Sequence, residues 1–74
     1  MERYNMAVLK INGKEKYFDG SLPATLSELL TELKVDSATV VAEVQGEIIE
    51  REKFSSFNLN EGQNIELVRF VPGG

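Results

Sequence analysis

The sequence predicts an α+β domain, a mixed sheet of four to five strands with one main helix packed on one face. Three observations carry this. Aliphatic-rich runs, the first of them partly alternating, recur at 6–12, 39–44 and 64–71. A single stretch, 25–34, has its leucines at helical spacing. Short glycine-bearing turns punctuate the runs at Asn12-Gly13, Gln45-Gly46 and Gly62.

In the first run, Ala7, Leu9 and Ile11 share one face, and Met6, Val8 and Lys10 share the other. Asn12-Gly13 is a strong hairpin signal, because both residues tolerate the positive φ of a tight turn. Residues 14–18 form the return strand, ended by Asp19-Gly20-Ser21. Pro23 lies just outside the helix expected from Thr25 to Lys34. Leu26, Leu29, Leu30 and Leu33 form its apolar stripe, and Thr25 with Glu28 forms a capping box. Glu28 in the first turn and Lys34 in the last would complement the helix dipole. So short a chain needs that stripe for its own core.

Residues 39–44 form a third strand, Gln45-Gly46-Glu47 a turn, and Ile48-Ile49 a short return. Residues 50–58 are irregular and charged, with Phe54 and Phe57 pinning them to the core. After a turn at 60–63, residues 64–71 form the last strand, and Pro72 ends it for want of an N–H. One helix with one apolar face and an excess of strands is solved economically by a β-grasp. Its first and last strands lie parallel in the middle of the sheet, joined through the helix. The whole of 1–74 is expected to be one such domain with a flexible Gly-Gly tail.

Composition narrows the chemistry. There is no cysteine and no histidine, which removes thiol nucleophiles, disulfides, imidazole bases and the common zinc sites. A net charge of −4 argues against nucleic acid and anionic membranes; it suits solubility or a basic protein partner. No apolar run marks a signal peptide or membrane span, so a cytoplasmic protein is expected. The run Glu50-Arg51-Glu52-Lys53 reads as a solvated face, and 74 residues leave little room for a catalytic pocket.

The C-terminus remains. Two terminal glycines arise by chance about once in 200 chains, so alone they are weak evidence. On a β-grasp they suggest that the terminal carboxylate itself reacts. A carboxylate must be activated before attack, and adenylation with ATP does this. Glycines without Cβ let the backbone enter a narrow nucleotide site. Extended, residues 71–74 reach at most ~14 Å.

The segments VAEVQGEIIEREKF (41–54) and LNEGQNIELVRFVPGG (59–74) resemble the sulfur carrier proteins of thiamine biosynthesis, the ThiS family of ubiquitin-like β-grasp proteins. LKINGK (9–14) and TLSELLTEL (25–33) fit the same family. The resemblance implies that Gly74 carries the reactive carboxylate and that Gly73 gives the tail clearance. It implies an adenylating enzyme of the ThiF type, which uses ATP and magnesium while this chain binds no cofactor. It further implies a sulfur donor such as a cysteine desulfurase persulfide, and a thiazole synthase of the ThiG type as acceptor. Two positions depart from the pattern. Gln45 stands where asparagine is usual and tolerates the left-handed region less well. Pro72 fixes φ and biases Val71 to extended geometry, which confines free movement to Gly73 and Gly74.

If Leu67 faces the helix, Val68 and Phe70 face away from it, with Met6 or Val8 beside them. Phe70, Val68 and Pro72 would then be partner-binding residues next to the tail. The alternative is that Phe70 packs on residues 1–5 or under the 50–58 segment. Other readings of the whole are the small subunit of molybdopterin synthase, a protein-conjugating modifier, and a plain β-grasp binding module.

Overall fold

The computed structural model describes residues 6–70. They comprise strands β1 (Met6–Ile11) and β2 (Lys14–Asp19), helix α1 (Leu26–Glu32), and strands β3 (Val40–Val44), β4 (Glu47–Ile49) and β5 (Asn64–Arg69). Short 3-10 turns lie at Ser37–Thr39 and Arg51–Lys53. The five strands form one mixed sheet in the order β2-β1-β5-β3-β4. β1 and β5 are parallel, as expected, and the other pairings are antiparallel.

Both hairpins turn on two residues of positive φ: Asn12 (51°) with Gly13 (83°), and Gln45 (52°) with Gly46 (85°). That combination matches the right-handed twist of the strands it joins. Gln45 therefore adopts the same conformation as Asn12 despite its lower tolerance. Its side chain explains how. The backbone N–H of Gln45 donates to the C=O of Asn64 at 2.8 Å, and its Oε1 accepts from the N–H of Asn64. The two bonds tie the turn to the start of β5 and offset the backbone cost.

The helix begins as the sequence predicts and ends earlier. Three free N–H groups of its first turn, those of Leu26, Ser27 and Glu28, find acceptors, and Leu29 N–H makes the first bond within the helix. Glu28 N–H donates to Thr25 Oγ1 at 3.2 Å, and Leu29 N–H to the Thr25 C=O at 3.0 Å. The other two are met from far along the chain: Leu26 N–H donates to Phe57 C=O and Ser27 N–H to Phe54 C=O, each at 3.0 Å. The 50–58 segment thus caps the helix, with Phe54 buried beneath it. Glu28 Oε1 also accepts from Ala24 N–H at 3.1 Å, closing the box one residue before the cap.

Lys34 is not in the last turn of α1. It lies beyond the helix at φ 62°, and the helix carries no basic residue in its final turn. Val35 N–H reaches Leu30 C=O and Lys34 N–H reaches Thr31 C=O, a Schellman closure that satisfies the last carbonyls. A non-glycine residue there costs ~1–2 kcal/mol, more than glycine's extra unfolded-state freedom. Lys34→Gly is therefore expected to stabilise the fold by ~0.5–1 kcal/mol; a lower urea midpoint would contradict this account.

The core lies between α1 and one face of the sheet. Leu26, Leu29 and Leu30 pack against Leu9, Phe18, Val40, Ala42, Val44 and Ile65, with Leu33 half-buried at the edge. Strand alternation then sends Val41, Val68 and Phe70 to the opposite face.

Candidate functional site

Gly73, Gly74 and Pro72 lie outside the described residues; what the structure describes is the strand that carries them. β5 is the central strand of the sheet. Its antiparallel register with β3 runs from Val44 opposite Ile65 to Val40 opposite Arg69. The ladder continues one step further, where Phe70 N–H donates to Thr39 C=O at 3.0 Å. The chain is held in the sheet up to four residues before Gly74.

On the face away from α1, Val68 is 60% and Phe70 39% exposed. This agrees with the orientation expected from alternation. Phe70 does not pack under the 50–58 segment, because that segment covers the helix side of the sheet. The neighbour of Val68 is Val41, directly opposite on β3 and 42% exposed. Ile48 on β4 lies diagonal to Val41, since it pairs with Glu43.

Met6 and Val8 are not part of this group. β1 runs parallel to β5 with Lys10 opposite Asn64, and Gly62 N–H donates to Val8 C=O at 2.8 Å. Val8 is therefore level with Gly62, and Val68 lies about 20 Å farther along the strand. Parallel register separates residues that the hydrophobic pattern alone had grouped. Val41 was the residue missed. Its signal was the alternation in 39–44, but its partner depended on the β3–β5 register.

Two carboxylates border the apolar group, Glu43 and Glu66, directly opposite each other on β3 and β5. Among the described residues, no group of three or more acidic side chains is arranged to hold a metal. One titration is visibly perturbed. Tyr17 donates its hydroxyl to Glu15 at 2.8 Å, and this bond and the nearby negative charge raise its pKa. That pair is exposed on edge strand β2, and no described side chains form a catalytic cluster. No helix among the described residues is long and apolar enough to cross a bilayer.

The comparisons with known proteins decide the family. The ThiS family profile matches residues 3–74, which includes the terminal glycines. The chain belongs to the ThiS family. The sulfur carrier protein ThiS of Bacillus subtilis is 31% identical over 67 residues, covering 90% of this chain and 100% of that protein. The crystal structure of the thiamine biosynthesis protein ThiS from Geobacter metallireducens superposes with a TM-score of 0.78 at 37% identity. It covers 90% of this chain and 99% of that one. A thiazole synthase of Paramagnetospirillum magneticum is 39% identical over 66 residues; the match covers 89% of this chain but spans only 20% of that protein. ThiS proteins are sulfur carriers of thiamine biosynthesis, so this chain is a carrier and not a catalyst. The sheet with its single helix is the ThiS β-grasp.

Proposed function

We propose that the carrier works through the carboxylate of Gly74. The observation that supports this most is that the Gly-Gly end, which the family match includes, follows the central strand β5 within five residues of sequence. A carboxylate oxygen of Gly74 attacks the α-phosphorus of ATP, and pyrophosphate leaves. The outer sulfur of a persulfide then attacks the acyl carbon and AMP leaves, giving an acyl disulfide. A thiol reductant cleaves its S–S bond, itself becoming the disulfide, so that one oxygen is exchanged for sulfur. The resulting thiocarboxylate is ionised at neutral pH and nucleophilic, so this chain needs no base of its own. The adenylating enzyme, of the ThiF type, supplies the ATP and magnesium site. A cysteine desulfurase persulfide supplies the sulfur.

The acceptor in this reading is a thiazole synthase of the ThiG type. A carrier-like segment within a chain called a thiazole synthase supports it, because joining two proteins in one chain favours partners that already meet. The use of ATP puts the reaction in the cytoplasm. Intact mass after incubation with ATP, magnesium, the adenylating enzyme and the sulfur donor tests the reading. A mass gain equal to exchange of one oxygen for sulfur at Gly74 supports it. An isopeptide product on lysine would make the protein a conjugated modifier instead.

The adenylating enzyme docks on the face formed by Val41, Val68 and Phe70, beside the tail. Truncating Phe70 to alanine removes the largest exposed apolar group next to the tail. Phe70→Ala is expected to weaken binding to the adenylating enzyme by about tenfold, or ~1–2 kcal/mol. Titration calorimetry measures it; unchanged affinity would place docking on another surface.

A further inference from the structure

We infer that Asn12 is a positioning residue for the reactive tail: its carboxamide stands in for a missing strand and holds the C-terminal half of β5. This rests on the carrier reading above and extends it to a residue outside the tail and its docking face.

The pairing of β1 with β5 is short, Lys10 opposite Asn64 and Ile11 opposite Ile65. Lys10 N–H donates to Gln63 C=O at 2.9 Å, and Asn12 N–H to Ile65 C=O at 2.8 Å. The chain then turns through Asn12-Gly13 into β2, away from β5. β5 continues to Arg69. In a parallel ladder the next rung would involve Leu67, whose N–H would meet the carbonyl of position 12 and whose C=O would meet the N–H of position 14. Neither group is placed for it, because the chain has already turned at Asn12-Gly13 and Lys14 pairs with Ile11.

The Asn12 side chain fills both places. Its Oδ1 accepts from Leu67 N–H at 2.7 Å, and its Nδ2 donates to Leu67 C=O at 3.2 Å. A carboxamide has the same donor and acceptor as a peptide unit, so it extends the ladder by one rung without extending the strand. Beyond that rung, β5 is held from the β3 side, through Phe70 N–H and Thr39 C=O. Asn12 therefore supplies the last described bond from the β1 side before the chain leaves for Gly74. Adenylation requires the terminal carboxylate to meet the α-phosphorus within tight limits, and misplacement of ~1 Å can cost two orders of magnitude in rate.

Asn12→Gly isolates the effect. Glycine accepts the positive φ at this turn position, so the hairpin survives while the carboxamide is lost. Asn12→Asp is the second variant: it keeps the acceptor for Leu67 N–H but sets an oxygen against Leu67 C=O. Amide hydrogen exchange reads the clamp, and steady-state adenylation reads its consequence. In Asn12→Gly, exchange at Leu67 should quicken about fivefold to tenfold while the Lys14 amide is unaffected. The kcat for adenylation should fall about tenfold with KM within twofold, because the docking face is intact. Asn12→Asp should give a smaller kcat loss. Unchanged Leu67 exchange, an unchanged kcat, or a loss confined to KM in Asn12→Gly would each overturn the inference. If the wild-type protein itself accepts no adenylate, the carrier reading fails first, which is a distinct result.

Discussion

Removal of Gly73 and Gly74 is expected to yield a folded protein that accepts no adenylate and no sulfur. The last interaction of the described chain is between Phe70 and Thr39, three residues short of the deletion. Nothing that builds the core is touched: Leu9, Leu26, Leu29, Leu30 and Ile65 all lie earlier in the chain. The thermal midpoint should therefore move by less than about 4 °C, equivalent to the ~0.5 kcal/mol of an ordinary surface change. The chemistry should vanish altogether, because the new terminus at Pro72 is a ring-constrained residue two positions too short. Two measurements on one sample, a melting curve and an intact mass after incubation with the adenylating system, separate fold from function. A truncated protein still loaded with sulfur would refute the role of Gly74, and a plain binding module would keep its partner.

Replacement of Leu29 by alanine should have the largest effect on stability. Leu29 is completely buried on the core face of α1. Alanine is the better helix former, so the helix itself loses nothing. The cost is the lost transfer energy and the cavity beneath the helix, together ~2–5 kcal/mol. A 74-residue domain has a total stability of about 4–11 kcal/mol, so a large share would be gone. The midpoint should fall by ~10–25 °C. Urea denaturation with an unchanged slope would confirm that the loss is packing rather than a change of denatured state. A loss below ~1 kcal/mol would show that α1 does not close the core at this point.

The two experiments probe different parts of one design. Stability resides in the contact of α1 with the sheet, whereas the proposed reactivity belongs to the end of the chain that follows β5. β5 joins them, since Ile65 is buried under the helix while Val68 and Phe70 are exposed on the other face a few residues later. Period-2 alternation allows one strand to serve both purposes.

Much of this could be read from residues alone. Asn12-Gly13 dictated a hairpin, because few dipeptides accept two positive φ values so readily. The leucine spacing and the Thr25–Glu28 box set the start of α1. The alternation in 64–71 put Leu67 on one face and Val68 and Phe70 on the other. The absence of cysteine and histidine directed attention to the terminal carboxylate. These are local or compositional signals, in which the physics is settled between near neighbours.

What required the tertiary structure was every property that depends on register between distant segments. Lys34 left the helix because a Schellman closure with Val35 satisfied the last carbonyls, a competition that propensity does not record. Phe54 and Phe57 turned out to cap α1 through their carbonyls, from 27 and 31 residues along the sequence. Val41 joined Val68, and Met6 and Val8 were separated from it, through strand pairings that no single strand encodes. Asn12 announced a turn in the sequence, yet its carboxamide bonds Leu67, 55 residues away. Backbone conformation is decided by a residue and its neighbours, so the sequence determined the elements and the faces they present. Hydrogen bonds between strands depend on which residues fold opposite one another, so only the tertiary structure decided what holds and surrounds the base of the tail.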